Sequence, residues 1–212
     1  MPKLYGHVAG VMLACLGGTA AAAERPVLRA GTEIPLRSGK RPNSALTQLV
    51  LKNLDADDVE MLDECISERE LKRGDYGALL RSVRLEGSGH TLWFVRPALE
   101  PYCSALYGAH LFRYFIIQER KVAGPPKYQL VFANGGDFIN IYAHKSHGLN
   151  DIEPSGCIAT KCWSARMAYD GLRYRPIRCS VTTWSGEKEV IRPRPCAGMI
   201  SPFQPSGLDP TP

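Results

Sequence analysis

Beyond its first 23 residues the chain has no long apolar run, and nowhere does it have a block of five or six like charges. The first lack leaves no segment to span a bilayer as a helix, so the mature chain is expected to be soluble, with no transmembrane segment. The second, with the lack of an Arg-rich helix, removes the electrostatic footprint of a nucleic-acid-binding protein. The net charge is +5; Lys3 lies in the leader, so the remainder carries +4, scattered as an ordinary solvated surface. Also missing are a glycine-rich phosphate loop, a Gly-x-Ser-x-Gly elbow and a His-Glu-x-x-His pair, which sets aside the commonest nucleotide, serine-hydrolase and zinc-protease designs. No metal or cofactor is expected.

Residues 1–23 read as a secretory signal. Lys3 precedes an apolar centre from Val8 to Leu16, and Ala21-Ala22-Ala23 offers a cleavage site before Glu24. Met12-Leu13-Ala14-Cys15 offers the alternative of a lipoprotein anchored through Cys15. Both readings place the protein across an inner membrane, with the periplasm as its compartment.

The cysteine count fits that address. Setting Cys15 aside leaves six: Cys65, Cys103, Cys157, Cys162, Cys179 and Cys196. An even number in an oxidising compartment suggests up to three bridges, with fifteen connectivities open. A local Cys157–Cys162 pair is expected; the division of the other four stays open. Zinc is the competing use, but no second close pair completes a tetrahedron around Cys157 and Cys162.

Residues 24–43 carry three prolines without periodicity and read as a linker or surface arm. A single domain is expected over 44–190. Two helices open it: one after Pro42-Asn43-Ser44, and one capped by Asp55 or Asp57 with Val59, Leu62, Cys65 and Ile66 as its apolar stripe. From Tyr76 the period becomes that of strands. Gly87-Ser88-Gly89, Gly124-Pro125-Pro126, Asn134-Gly135-Gly136 and Asp170-Gly171 punctuate them as turns. Leu111–Gln118 is apolar enough for a central strand. The expected fold is mainly β: an antiparallel meander of about seven strands built from hairpins, with one or two N-terminal helices. Residues 191–212 are proline-rich and read as a mobile tail.

One segment resembles a catalytic motif. Ser155-Gly156-Cys157-Ile158, with His144 and His147-Gly148 upstream, resembles the nucleophile segment of the L,D-transpeptidases of the bacterial wall. The resemblance implies Cys157 as a nucleophile, which needs a base within hydrogen-bond reach. The histidine before the glycine is missing here and the arginine after the isoleucine is Ala159. The expectation is therefore that the protein is not an enzyme. His144 and His147 lack a third ligand at a sensible spacing and read as a polar loop.

The order of features over residues 58–181 carries a broader resemblance: the helix ending near Cys65, then Pro101-Tyr102-Cys103 with Tyr107-Gly108, then Ile139–His147 leading into Gly148-Leu149-Asn150-Asp151-Ile152, and last Tyr169-Asp170-Gly171-Leu172-Arg173-Tyr174-Arg175-Pro176 with Cys179. It resembles small exported bacterial proteins of the FG-GAP or VCBS-like type, some of which resemble periplasmic lysozyme inhibitors and immunity proteins. Their calcium loop is replaced by Glu86-Gly87-Ser88-Gly89-His90, which has too few carboxylates for a calcium cage. The resemblance implies a non-catalytic binding protein whose partner is a cell-wall hydrolase or effector protein; an exported structural domain of the envelope is the alternative. The loop from His144 to Asp151, with Lys145, Ser146 and His147, is the expected partner-binding segment.

Overall fold

The computed structural model describes residues 24–86, 90–108, 111–120 and 122–197. The leader, the tip at 87–89 and the chain from 198 onward lie outside the described residues. Among the described residues the architecture is mainly β: ten strands in two antiparallel sheets, with two α-helices. Strand β1 (Pro26–Gly31) comes first, then α1 (Ser44–Leu51) and α2 (Ala56–Glu68). Strands β2 (Leu80–Glu86), β3 (Thr91–Pro97), β4 (Phe112–Arg120) and β5 (Lys127–Gly136) form a four-stranded meander. Strands β6 (Phe138–Ser146), β7 (Leu149–Ile158), β8 (Lys161–Tyr169), β9 (Tyr174–Ser185) and β10 (Lys188–Arg194) form a second one, with β1 added beside β6.

Both helices start where short polar side chains can satisfy free amides. The Asn43 side chain accepts from the amide of Leu46 at 2.9 Å, and that of Asp55 from Asp58 at 2.8 Å. Asp57 and Asp58 then sit in the first turn of α2, where negative charge suits the dipole. The apolar stripes of the two helices, with Leu46, Val50, Leu62 and Ile66, cover one face of the four-stranded sheet at Val95, Phe115 and Ile117. The other face, with Phe94, Phe112, Tyr114 and Ile116, packs on Ile139, Ile141, Ile152 and Tyr174 of the six-stranded sheet. The fold is thus three layers: helices, central sheet, outer sheet. Having both faces covered explains why β3 and β4 are nearly unbroken apolar runs. Each fully buried large apolar side chain contributes roughly 1.5–3 kcal/mol.

Arg96 is the exception within that core. It is 1% exposed, yet among the described residues no carboxylate meets it. One of its terminal nitrogens donates to the carbonyls of Gly31 (2.6 Å) and Ile34 (2.9 Å). The other donates to the carbonyl of Thr32 (3.1 Å) and to the Tyr107 hydroxyl (3.1 Å). Its Nε donates to the carbonyl of Pro97, and the guanidinium lies 4.3 Å from the centre of the Phe112 ring. A side chain from the central sheet thereby holds the backbone that leaves β1 on the outer sheet.

Three disulfides add covalent ties. Cys65–Cys103 joins α2 to the segment before β4, Cys157–Cys162 closes the β7–β8 hairpin at directly opposed positions, and Cys179–Cys196 fastens the chain beyond β10 to β9. Among the described residues no helix is long and apolar enough to cross a membrane.

Several expectations are corrected. The segment 24–43 is not simply an arm, because 26–31 pairs with β6 and buries Ala30 and Gly31. Asn134-Gly135-Gly136 is not a turn; it ends β5, and the chain crosses at Asp137 to the other sheet. Gly136 serves close approach instead, since a Cβ there would lie 2.6 Å from the carbonyl oxygen of Ser155. The tail does not begin at 191, because 191–194 completes β10; its proline, Pro193, is tolerated on an edge strand. The meander is also split, into ten strands over two sheets.

Replacing Arg96 with Met should take a donor from five acceptors, the carbonyls of Gly31, Thr32, Ile34 and Pro97 and the Tyr107 hydroxyl, and cost at least about 3 kcal/mol. Arg178→Met, at an exposed position, should stay within about 0.5 kcal/mol of wild type. Urea unfolding of the oxidised proteins measures both; equal stabilities would refute the role given to Arg96.

Candidate functional site

The segment from His144 to Asp151 is a tight hairpin. Ser146 pairs with Leu149 and Lys145 with Asn150, leaving His147-Gly148 as a two-residue turn. Both turn residues have positive φ, 48° and 83°, as a type I′ turn requires. Gly148 is needed for a second reason: a Cβ there would lie 2.6 Å from the ring of His90, the residue before β3. The tip is therefore seated against His90.

Under the hairpin, on the face of the outer sheet turned away from the core, lies a polar network centred on Asp151. Asp151 is 2% exposed. Its carboxylate accepts from Nδ1 of His144 (2.9 Å), from Oγ of Ser146 (2.7 Å) and from Arg166 on β8 (3.4 Å from both Nε and a terminal nitrogen). Arg166 also lies 3.5 Å from the centre of the Tyr142 ring and donates to Glu24 at 2.9 Å. Glu24 reaches the backbone amide of His144 at 3.2 Å with its other oxygen. Burial alone would raise the Glu24 pKa, but the His144 amide and Arg166 together hold it below the usual carboxylate range. Because Asp151 is buried and surrounded by donors, it positions side chains and does not face a partner.

The five residues expected to contact a partner thus divide into two sets. Asp151 and Ser146 face inward and hold the hairpin. His144 and His147 are exposed and Lys145 is half-buried. Among the described residues the side chains of Lys145 and His147 have no hydrogen-bond or ion-pair partner. Ser146 bonds to Asp151 and not to His144, so the three do not form the relay of a serine hydrolase.

The candidate nucleophile is placed elsewhere. Ser155-Gly156-Cys157 lies in β7, and Cys157 is bonded to Cys162. Cys157 stands eight residues beyond Leu149 on that strand, roughly 26 Å at about 3.3 Å per residue. His144 and His147 are therefore out of its reach. Trp163 packs over Gly156 and is half-buried, not part of the main core. Among the described residues no group of three or more His, Cys, Asp or Glu side chains is arranged to hold a metal ion.

Two members of the network escape a reading of the sequence. Arg166 and Glu24 lie 15 and 127 residues from Asp151, and only the strand order brings them together. The acid–base alternation in β7 and β8 (Asp151, Glu153, Arg166) was the available signal, and it is a weak one. No family model, no curated protein and no solved structure matches this chain.

Beside the tip, the β8–β9 turn is fixed by Asp170. Its Oδ1 accepts from the amides of Leu172 (2.8 Å) and Arg173 (2.9 Å), and Arg175 donates to its other oxygen. The Arg173 amide, then Arg175 and the Leu172 amide, hold the carboxyl well below its usual range. A carboxyl whose folded pKa is depressed contributes stability above its unfolded pKa of about 3.9 and loses it as pH falls below that value. Thermal midpoints measured from about pH 5 down to about pH 2 should therefore fall, and Asp170→Asn should flatten part of that decline. An identical slope in the variant would show that the turn does not depend on the ionised carboxylate.

Proposed function

We propose that this is an exported, non-catalytic binding protein that presents the β6–β7 tip to the cleft of a peptidoglycan-degrading enzyme, as an inhibitor or immunity protein. One observation carries the reading. The buried Asp151 ties His144 and Ser146 down from beneath, while the Lys145 ammonium and the His147 ring are left without partners among the described residues. A tip held in one shape before binding loses little further entropy on binding. A lysine at such a tip suits a glycosidase cleft, whose working groups are paired carboxylates. The three disulfides fit the oxidising compartment where such enzymes act.

Lys145→Ala and His147→Ala should each weaken inhibition by about 1–3 kcal/mol and leave the melting temperature unchanged. Inhibition assays against a panel of muramidases and amidases, paired with melting curves, read both effects. Inhibition by the variants equal to wild type would remove the tip from the account. A wild-type protein that inhibits no wall hydrolase would remove the inhibitor reading and leave a structural envelope domain.

A further inference from the structure

The turn and hairpin formed by residues 172–194 carry six basic residues (Arg173, Arg175, Arg178, Lys188, Arg192 and Arg194) against two acidic ones (Glu187 and Glu189). That surplus is most of the net charge of the whole chain, and it lies along the β9–β10 edge of the outer sheet. All six basic residues are exposed. Among the described residues two of them find acids: Arg175 pairs with Asp170, and Arg178 is 3.9 Å from Glu153. Among the described residues the side chains of Arg173, Lys188, Arg192 and Arg194 have no hydrogen-bond or ion-pair partner.

The same stretch is also apolar on its surface. Of the ten large apolar side chains left exposed among the described residues, it holds four: Leu172 (83%), Ile177 (61%), Trp184 (42%) and Ile191 (63%). Trp184 and Ile191 share a face of the ladder. Ile191 stands opposite Thr182, two residues from Trp184 on β9, and Arg178 lies on that face further down the strand. Lys188, Arg192 and Arg194, opposite Ser185, Val181 and Cys179, lie on the other face; among the described residues β10 is the last strand of its sheet, so long side chains from both faces meet along its outer edge.

We infer that the β9–β10 edge docks on an anionic lipid surface. Unpaired cations match the charge of such a surface, and each contributes to the attraction. The exposed apolar side chains Ile177, Trp184 and Ile191 are spaced singly along β9 and β10. A bilayer interface accepts such side chains one at a time and favours tryptophan among them. The β9–β10 hairpin around Trp184 and Ile191 is distinct from the β6–β7 tip, which lies beside the β8–β9 turn, and its use does not depend on hydrolase inhibition.

The test is co-sedimentation of the mature, disulfide-bonded protein with phosphatidylcholine vesicles with and without phosphatidylglycerol. Binding should require phosphatidylglycerol and fall as salt is raised. Arg192→Gln combined with Arg194→Gln should lower partition by about fivefold per charge removed. Trp184→Ser combined with Ile191→Ser should lower it as well, with melting temperatures unchanged in both. Lys145→Ala should bind vesicles as wild type does, which separates this surface from the tip. Absence of binding to anionic vesicles, or undiminished binding by the arginine variant, would overturn the inference. So would salt-sensitive binding to polyglutamate with none to vesicles, since that outcome identifies an acidic polypeptide as the partner.

Discussion

A buried guanidinium without a carboxylate is costly unless every donor finds an acceptor. Arg96 meets that condition only when the backbone leaving β1 folds back over β3, bringing the carbonyls of Gly31, Thr32 and Ile34 within reach. This couples parts of the chain that hydrophobic burial alone would not position. The central sheet is apolar on both faces and could accept an outer layer in several registers. Arg96 narrows the choice, because a displaced outer sheet would strand its charge. Through the β1–β6 pairing the constraint passes to β6, and so to the hairpin at its far end.

The candidate site repeats this logic with the opposite sign of charge. Asp151 is a buried anion satisfied by donors from β6 and β8. Its partners are fixed only if β6, β7 and β8 lie in their observed order. Glu24 extends the network to the residue before β1, so the first described residue of the chain takes part in holding His144. The tip gains its shape from beneath, which leaves its outward groups free for recognition. The hairpin at the other side of the sheet has no such anchor: β10 is exposed along nearly its whole length and keeps its unpaired cations at the surface.

Much of this was legible in the sequence. Asn43 and Asp55 marked the helix starts, Asp170-Gly171 marked the β8–β9 turn, and the apolar run at Leu111–Gln118 marked a central strand. β1 was hidden by Pro26 and Arg29, since as an edge strand it buries little besides Ala30 and Gly31. β7 was hidden by Pro154, Ser155 and Gly156, residues that rarely build strands. It tolerates Pro154 where the β7–β8 ladder is interrupted, between Ile152 and Ser155. Asn134-Gly135-Gly136 misled because glycine serves both turns and close approach, and only the neighbouring Ser155 backbone tells which. At the site, the segment 144–151 was legible as a polar loop, but its pairing into a hairpin with a two-residue turn and the inward direction of Asp151 were not. That direction follows from Arg166, which the sequence places no nearer to Asp151 than many other cations.

The central claim is that the β6–β7 tip is held rigid from below by Asp151. Native-state hydrogen exchange resolved to single amides tests it most directly. The account predicts that the tip pair Ser146–Leu149 exchanges within about tenfold of the mid-strand pair Ile141–Ile152, while the β9–β10 tip pair Ser185–Lys188 exchanges much faster. Exchange at Ser146–Leu149 as fast as at Ser185–Lys188 would contradict it.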